Sequence, residues 1–188
     1  MVGLMLVTTP RMPATCHTLA TPLVAILDEL RSVLGALSSA DYTTRMGPTF
    51  ANASIGGHVR HCLDHARALI DGRIAGTIDY DHRERGTAIE SDPAAAAMEL
   101  DRLIDSTRGL AGIEADEPVG VAVMPTRDGE ASVLSSTLAR ELAFVLSHTI
   151  HHNATIRGMA VAAGHAVPSS FGYAPSTLAH KDRCACAR

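Results

Sequence analysis

Apolar residues recur at intervals of three and four along several long stretches of this chain, and that spacing restricts it to packed helices. Leu19, Leu23, Ile26, Leu30, Val33 and Leu37 form one such stripe, because residues three and four apart share a helical face. Thr21 followed by Pro22 reads as an N-cap and first helical residue, giving a helix over 22–37. A second helix begins at a Ser54 cap and stops near Ile70 at Asp71-Gly72. A third opens on Ser91-Asp92-Pro93 and reaches Leu110, with Leu100, Leu103, Ile104 and Leu110 facing inward. A fourth runs from Leu138 to Ala163, capped by Ser136 or Thr137 and ended at Gly164. Before it, alternating Val119, Val121 and Val123 face Ala131, Val133 and Leu134 across Arg127-Asp128-Gly129, which reads as a hairpin. The polar segment from Arg73 to Glu90 reads as a long connection. The expected fold is all-α: a four-helix bundle with a long crossover and a small β-hairpin before the last helix. It spans residues 18–165, between an irregular N-terminal segment (1–17) and a C-terminal tail (166–188).

Composition removes several partners. Aromatics are 3 % of the chain and Trp is absent, so Ala, Leu and Val must fill the core, which suits close helix contacts. The net charge is −4 and no run of Lys or Arg occurs, which argues against nucleic acid and against an electrostatic membrane anchor. No stretch approaches the roughly 20 apolar residues of a membrane span. The apolar start, Met1 to Val7, is short and lacks a basic flank, so a signal peptide is not expected. Cys16, Cys62, Cys184 and Cys186 do not form a disulfide framework, and a reducing, cytoplasmic setting is expected.

The histidines are the chemical signal. Six of the ten fall in two helical segments, His58, His61 and His65 in one and His148, His151 and His152 in the other. At about 100° per residue, His148 and His152 lie on the buried face of the last helix one turn apart, whereas His151 lies nearer its edge. The first three histidines flank the core stripe of their own helix. Two buried imidazoles require partners, since an unsatisfied buried polar group costs about 1–3 kcal/mol. A divalent ion shared with a third histidine from a facing helix meets that requirement and leaves one tetrahedral position open, the pattern of a reactive site. The competing explanation is ordinary packing, common for an i, i+4 histidine pair. A zinc peptidase is excluded, because His148-Thr149-Ile150-His151-His152 lacks the Glu that follows the first His in that motif.

At these residues the chain resembles the DinB-like superfamily of metal-binding four-helix bundles. Ser54-Ile55-Gly56-Gly57-His58-Val59-Arg60-His61 is similar to the start of that family's second helix, and ELAFVLSHTIHH, Glu141 to His152, to its last-helix motif. The resemblance implies a metal held by His61, His148 and His152, with His58 a rival to His61. It also implies zinc first or nickel, a homodimer, and use of a low-molecular-weight thiol; imidazole nitrogen equally allows iron. The expected function is a metal-dependent thiol transferase or hydrolase acting on a small electrophilic substrate. The alternative is a non-catalytic metal-binding or stress-response module, and a further one is a bundle without metal.

Other residues carry weaker expectations. Glu141 can orient a ligand histidine, although a first-turn Glu is also favoured by the helix dipole alone. His65 reads as a half-exposed bystander and His151 as a surface residue. Arg60 can take a substrate carboxylate or simply be solvated. Cys62 can be a redox thiol or a small core residue. Cys184-Ala185-Cys186 can bind a soft metal or form an incidental tail.

Overall fold

A computed structural model describes residues 14–82 and 84–186. In chain order the helices are α1 (His17–Leu34), α2 (Ser39–Thr43), α3 (Ile55–Ala75), α4 (Ala88–Ser91), α5 (Pro93–Gly109), α6 (Leu138–Ala162) and α7 (Pro175–Cys186). The strands are β1 (Thr77–Asp79), β2 (Pro118–Val123) and β3 (Ser132–Thr137). The fold is mostly α. The four long helices touch in the cyclic order α1–α5–α3–α6, and their apolar stripes meet in one core of Leu23, Leu27, Leu30, Val59, Leu63, Leu69, Leu100, Leu103, Leu142, Val145 and Ile156. No helix among the described residues is long and apolar enough to cross a membrane.

The cap signals place most helix ends. Ser54 accepts the Gly57 amide at 3.1 Å, Asp92 accepts the Ala94 amide at 2.8 Å ahead of Pro93, and Thr137 accepts the Arg140 amide at 3.4 Å. Three ends differ from expectation, and one of them is the close of the first helix at Leu34 with Gly35 as its C-cap, short of Leu37. The first helix starts at His17, not Pro22, because the Leu19 and Ala20 amides bond back to the Cys16 carbonyl. Cys16 is itself fixed by its amide on the Ile113 carbonyl, so Pro22 sits inside the helix, and Leu27 rather than Ile26 is fully buried. The second helix does not stop at Gly72. It runs to Ala75 and ends on Gly76, whose φ of 84° suits the left-handed C-cap. Gly72 serves packing: an added Cβ would lie 2.5 Å from the Ile78 Cα of β1.

The sheet is larger than the expected hairpin. β2 and β3 pair antiparallel, and β1 adds in parallel to β2 with Ile78 opposite Val121. β1 comes from the polar connection, and of its three residues only Ile78 is buried, so no alternating pattern marks it. The loop expected over 38–53 contains α2 and a 3-10 turn, Pro48–Phe50. α2 is anchored by buried Tyr42, whose hydroxyl donates to the Ile89 carbonyl at 2.6 Å. In the tail, α7 follows Phe171, which is fully buried.

Gly56 and Gly57 are neighbours in the first turn of α3 but meet different surroundings. A methyl on Gly56 would overlap the Glu90 carbonyl and the Tyr42 ring, whereas one on Gly57 meets Ser54 Oγ at 3.5 Å. Gly56→Ala is therefore expected to cost about 1–3 kcal/mol by overpacking. Gly57→Ala should be neutral or stabilising by up to about 1 kcal/mol through helix propensity. Urea unfolding of the two variants checks this, and equal destabilisation would contradict the close approach at Gly56.

Candidate metal centre

α3 and α6 lie side by side, and five imidazoles pack between them. His61 and His148 face each other with Nε2 atoms 3.2 Å apart, and His58 and His152 with Nδ1 atoms 3.1 Å apart. His152 bridges the two pairs, its ring centroid 4.5 Å from both His61 and His148. One ring nitrogen each of His61, His65 and His148 come within 4.8 Å of one another, close enough to share an ion. His65 and His152 are buried, His58, His61 and His148 half-buried, and His151 exposed.

Burial sets the charge state. Desolvation, then the neighbouring His148, His58, His151 and His65, push the His152 pKa down to about 3. Burial, followed by His151, also lowers that of His58. Neutral imidazole is the form that binds metal. Tautomers follow from the partners. His65 Nδ1 lies 2.9 Å from the His61 carbonyl, which only accepts, so Nδ1 carries the proton and Nε2 the lone pair.

The sequence reading expected His61, His148 and His152 to share an ion; in the structure the nitrogens of His61 and His148 converge with that of His65, and His152 and His58 pack beside them. His65 is no bystander. It is buried, stacks on His148 at 3.8 Å, and is covered by Tyr80 at 5.4 Å with ring planes 13° apart. Tyr80 follows β1, so the polar connection hid the residue that buries His65. Glu141 acts on the cluster through Tyr80. Fully buried, it accepts from the Tyr80 hydroxyl at 3.0 Å, from Ser136 Oγ and from Arg140 Nη1 at 2.8 Å. It therefore locks the ring that packs on His65, while burial and then Glu141 raise the Tyr80 pKa.

Arg60 is not a solvated side chain but is held by two carboxylates at the edge of a cavity. Nη1 donates to Asp64 at 2.6 Å and Nε to Glu90 at 3.1 Å. Cys62 is a buried core thiol, its pKa pushed up to about 12 by burial, which disfavours thiolate chemistry there. Cys184 is exposed, with Sγ 3.6 Å from His180 Nε2; the Cys186 side chain lies outside the described residues.

A cavity of about 350 Å³ opens beside the cluster, lined by His58, His61 and His152 together with Arg45, Asn52, Ser54, Arg60 and Glu90. That volume fits a small molecule.

A helical fold with a histidine cluster between its second and last long helices agrees with a match to the DinB superfamily over residues 23–156. The chain belongs to that superfamily. It is also similar to FK506-binding protein 5 of Rhizopus delemar, at 30 % identity over 119 residues, covering 63 % of this chain and 31 % of the relative. The chain therefore spans about a third of that protein.

The depressed pKa of His152 links stability to pH. In the unfolded chain a histidine takes a proton below about pH 6.5, whereas folded His152 stays neutral to about 3. Within that window the unfolded state binds more protons, so the metal-free protein should lose stability as pH falls from about 6.5 towards 3 and be insensitive to this residue above it. Urea midpoints across this range check the slope. An unchanged slope in His152→Gln would show that this ring is not the source.

Proposed function

We propose that this protein is a metal-dependent enzyme that joins a low-molecular-weight thiol, or water, to a small electrophilic substrate. The divalent ion, zinc first with nickel or iron as alternatives, is held by His61, His148 and His152. The observation that carries the reading is the 3.2 Å separation of His61 Nε2 and His148 Nε2. Two nitrogens on one tetrahedral zinc, at about 2.0–2.1 Å each, stand about 3.3 Å apart.

Ring orientation supports His152 as the third ligand over His65. A metal lies in the plane of every imidazole that binds it, so ligand ring planes must intersect at the ion. The planes of His61 and His148 cross at 69°, those of His61 and His152 at 82°, and those of His148 and His152 at 57°. His65 and His148 are stacked at 25°, an arrangement that suits one shared ion less well than the steeply crossed planes of the other three pairs. His65 then serves as a wall that fixes the His148 ring. His58 orients His152 through the facing Nδ1 atoms, leaving His152 Nε2 for the ion.

A divalent ion held by three neutral ligands supplies Lewis acidity, lowering the pKa of water or a thiol to about 7 or below. The protein's own part is to hold the imidazoles neutral and oriented and to present the substrate from the cavity that His58, His61 and His152 line. A second reading, a closed non-catalytic metal site, draws on the convergence of His65 with His61 and His148.

The test is elemental analysis of untagged protein, Co²⁺ substitution, and thiol addition to an electrophile panel. His148→Ala and His152→Ala should lose most bound metal and all metal-dependent turnover. His151→Ala and His65→Phe should keep the metal. A Co²⁺ spectrum unmoved by thiol, with no metal-dependent turnover, would leave the closed-site reading. Equal metal content in all four variants would overturn the ligand assignment.

A further inference from the structure

The cavity beside the cluster is bordered by two arginines that differ in what they do. The Arg60 side chain is 13 % exposed and engaged by Asp64 and Glu90. Arg45 is exposed, and no described carboxylate lies within ion-pair distance of it. Its recorded hydrogen bond runs from Nη1 to the Asn52 carbonyl at 3.4 Å. Arg31, Arg67, Arg73 and Arg108, by contrast, each sit on a carboxylate. Of the two arginines that line the cavity, Arg60 takes the lining carboxylate Glu90, and Arg45 has no ion-pair partner among the described residues.

The loop that presents Arg45 is built to do so. It is closed by the Met46 amide on the Ala53 carbonyl and the Ala53 amide on the Phe50 carbonyl, both at 2.9 Å. Its last turn holds two successive non-glycine residues in the left-handed region, Ala51 at φ 52° and Asn52 at φ 57°. Such backbone is disfavoured for side-chain-bearing residues and persists where the surroundings enforce it. Here it turns the carbonyl that tethers Arg45 while Ala51 and Asn52 line the cavity. A second cavity, of about 410 Å³, is lined instead by Asp64, Asp71, Asp79 and Glu84 with His82 and Arg67, and repels anions.

We infer that the cavity on the histidine side takes a small molecule bearing an oxyanion, a carboxylate or a phosphoryl group, with its charged end on Arg45 and its reactive part towards His58, His61 and His152. A guanidinium matches both oxyanions through a planar two-pronged donor pattern, which a lysine cannot reproduce. This assigns a substrate class to the proposed enzyme and rests on that reading for where the reaction occurs, although the anion contact itself does not require the metal.

The probes are succinate, methyl phosphate and, as the uncharged match, succinamide, titrated by calorimetry into the full chain with and without Co²⁺. Succinate or methyl phosphate should bind more tightly than succinamide. The dissociation constant of that anion should rise about tenfold or more in Arg45→Gln, equivalent to about 1.4 kcal/mol, and less in Arg45→Lys. Arg102→Gln, a charge control paired with Glu99, should match the parent. Succinamide binding as tightly as both anions, no anion binding, or equal affinity in Arg45→Gln would overturn the inference. Arg45-dependent anion binding by protein that takes up no divalent ion would support it and overturn the metal reading instead. Cobalt uptake without Arg45-dependent binding would do the reverse. Circular dichroism confirms folding, since Arg45 is exposed.

Discussion

Five imidazoles share the seam between α3 and α6, and a buried nitrogen must either find a partner or forfeit the cost of its desolvation. His152 resists protonation, because adding a proton there is opposed by burial and then by the neighbouring imidazoles, and burial acts in the same direction on His58. A neutral imidazole brings one donor and one acceptor. Facing pairs of like nitrogens, Nε2 against Nε2 and Nδ1 against Nδ1, either share one proton between them or direct two lone pairs at a common point. A cation is the natural complement to such points, and the architecture around the seam serves to hold the rings in that arrangement.

That support is acidic, yet the acids near the seam are engaged with other groups. Asp64 and Glu90 take Arg60, and Glu141 takes Tyr80, Ser136 and Arg140. An ion bound by imidazoles alone keeps its full positive charge, which is the condition for strong polarisation of what it touches. The three-stranded sheet acquires a purpose in this light. β1 delivers Tyr80, β3 delivers Ser136, and both meet at fully buried Glu141, so an appendage to the helices fixes the wall of the seam.

The sequence disclosed what is local. Ser54, Asp92-Pro93 and Thr137 announce their helices because a cap acts within three residues of itself. The i, i+4 pair of His148 and His152 on an apolar stripe announced a buried constellation for the same reason. Features set by distant partners stayed hidden. Gly72 reads as a stop because glycine ends helices more often than it packs a strand against one. The role of His65 depends on Tyr80, in a segment too polar to suggest burial. Arg45 sits in a loop with no periodicity, and its significance comes only from the carboxylates that Arg60 has and it lacks.

His61 and His148 are separated by 87 residues of sequence, with α5 and the whole sheet between them. Closing so long a loop carries an entropic cost that local helices cannot offset until they dock. A chain still emerging from the ribosome, with α6 not yet made, holds three histidines along one helix and has no partner ring to complete the seam. The completed seam is thereby withheld from nascent and truncated chains, and an ion bound across it would act as a tie between distant parts of the polypeptide, much as a cross-link does.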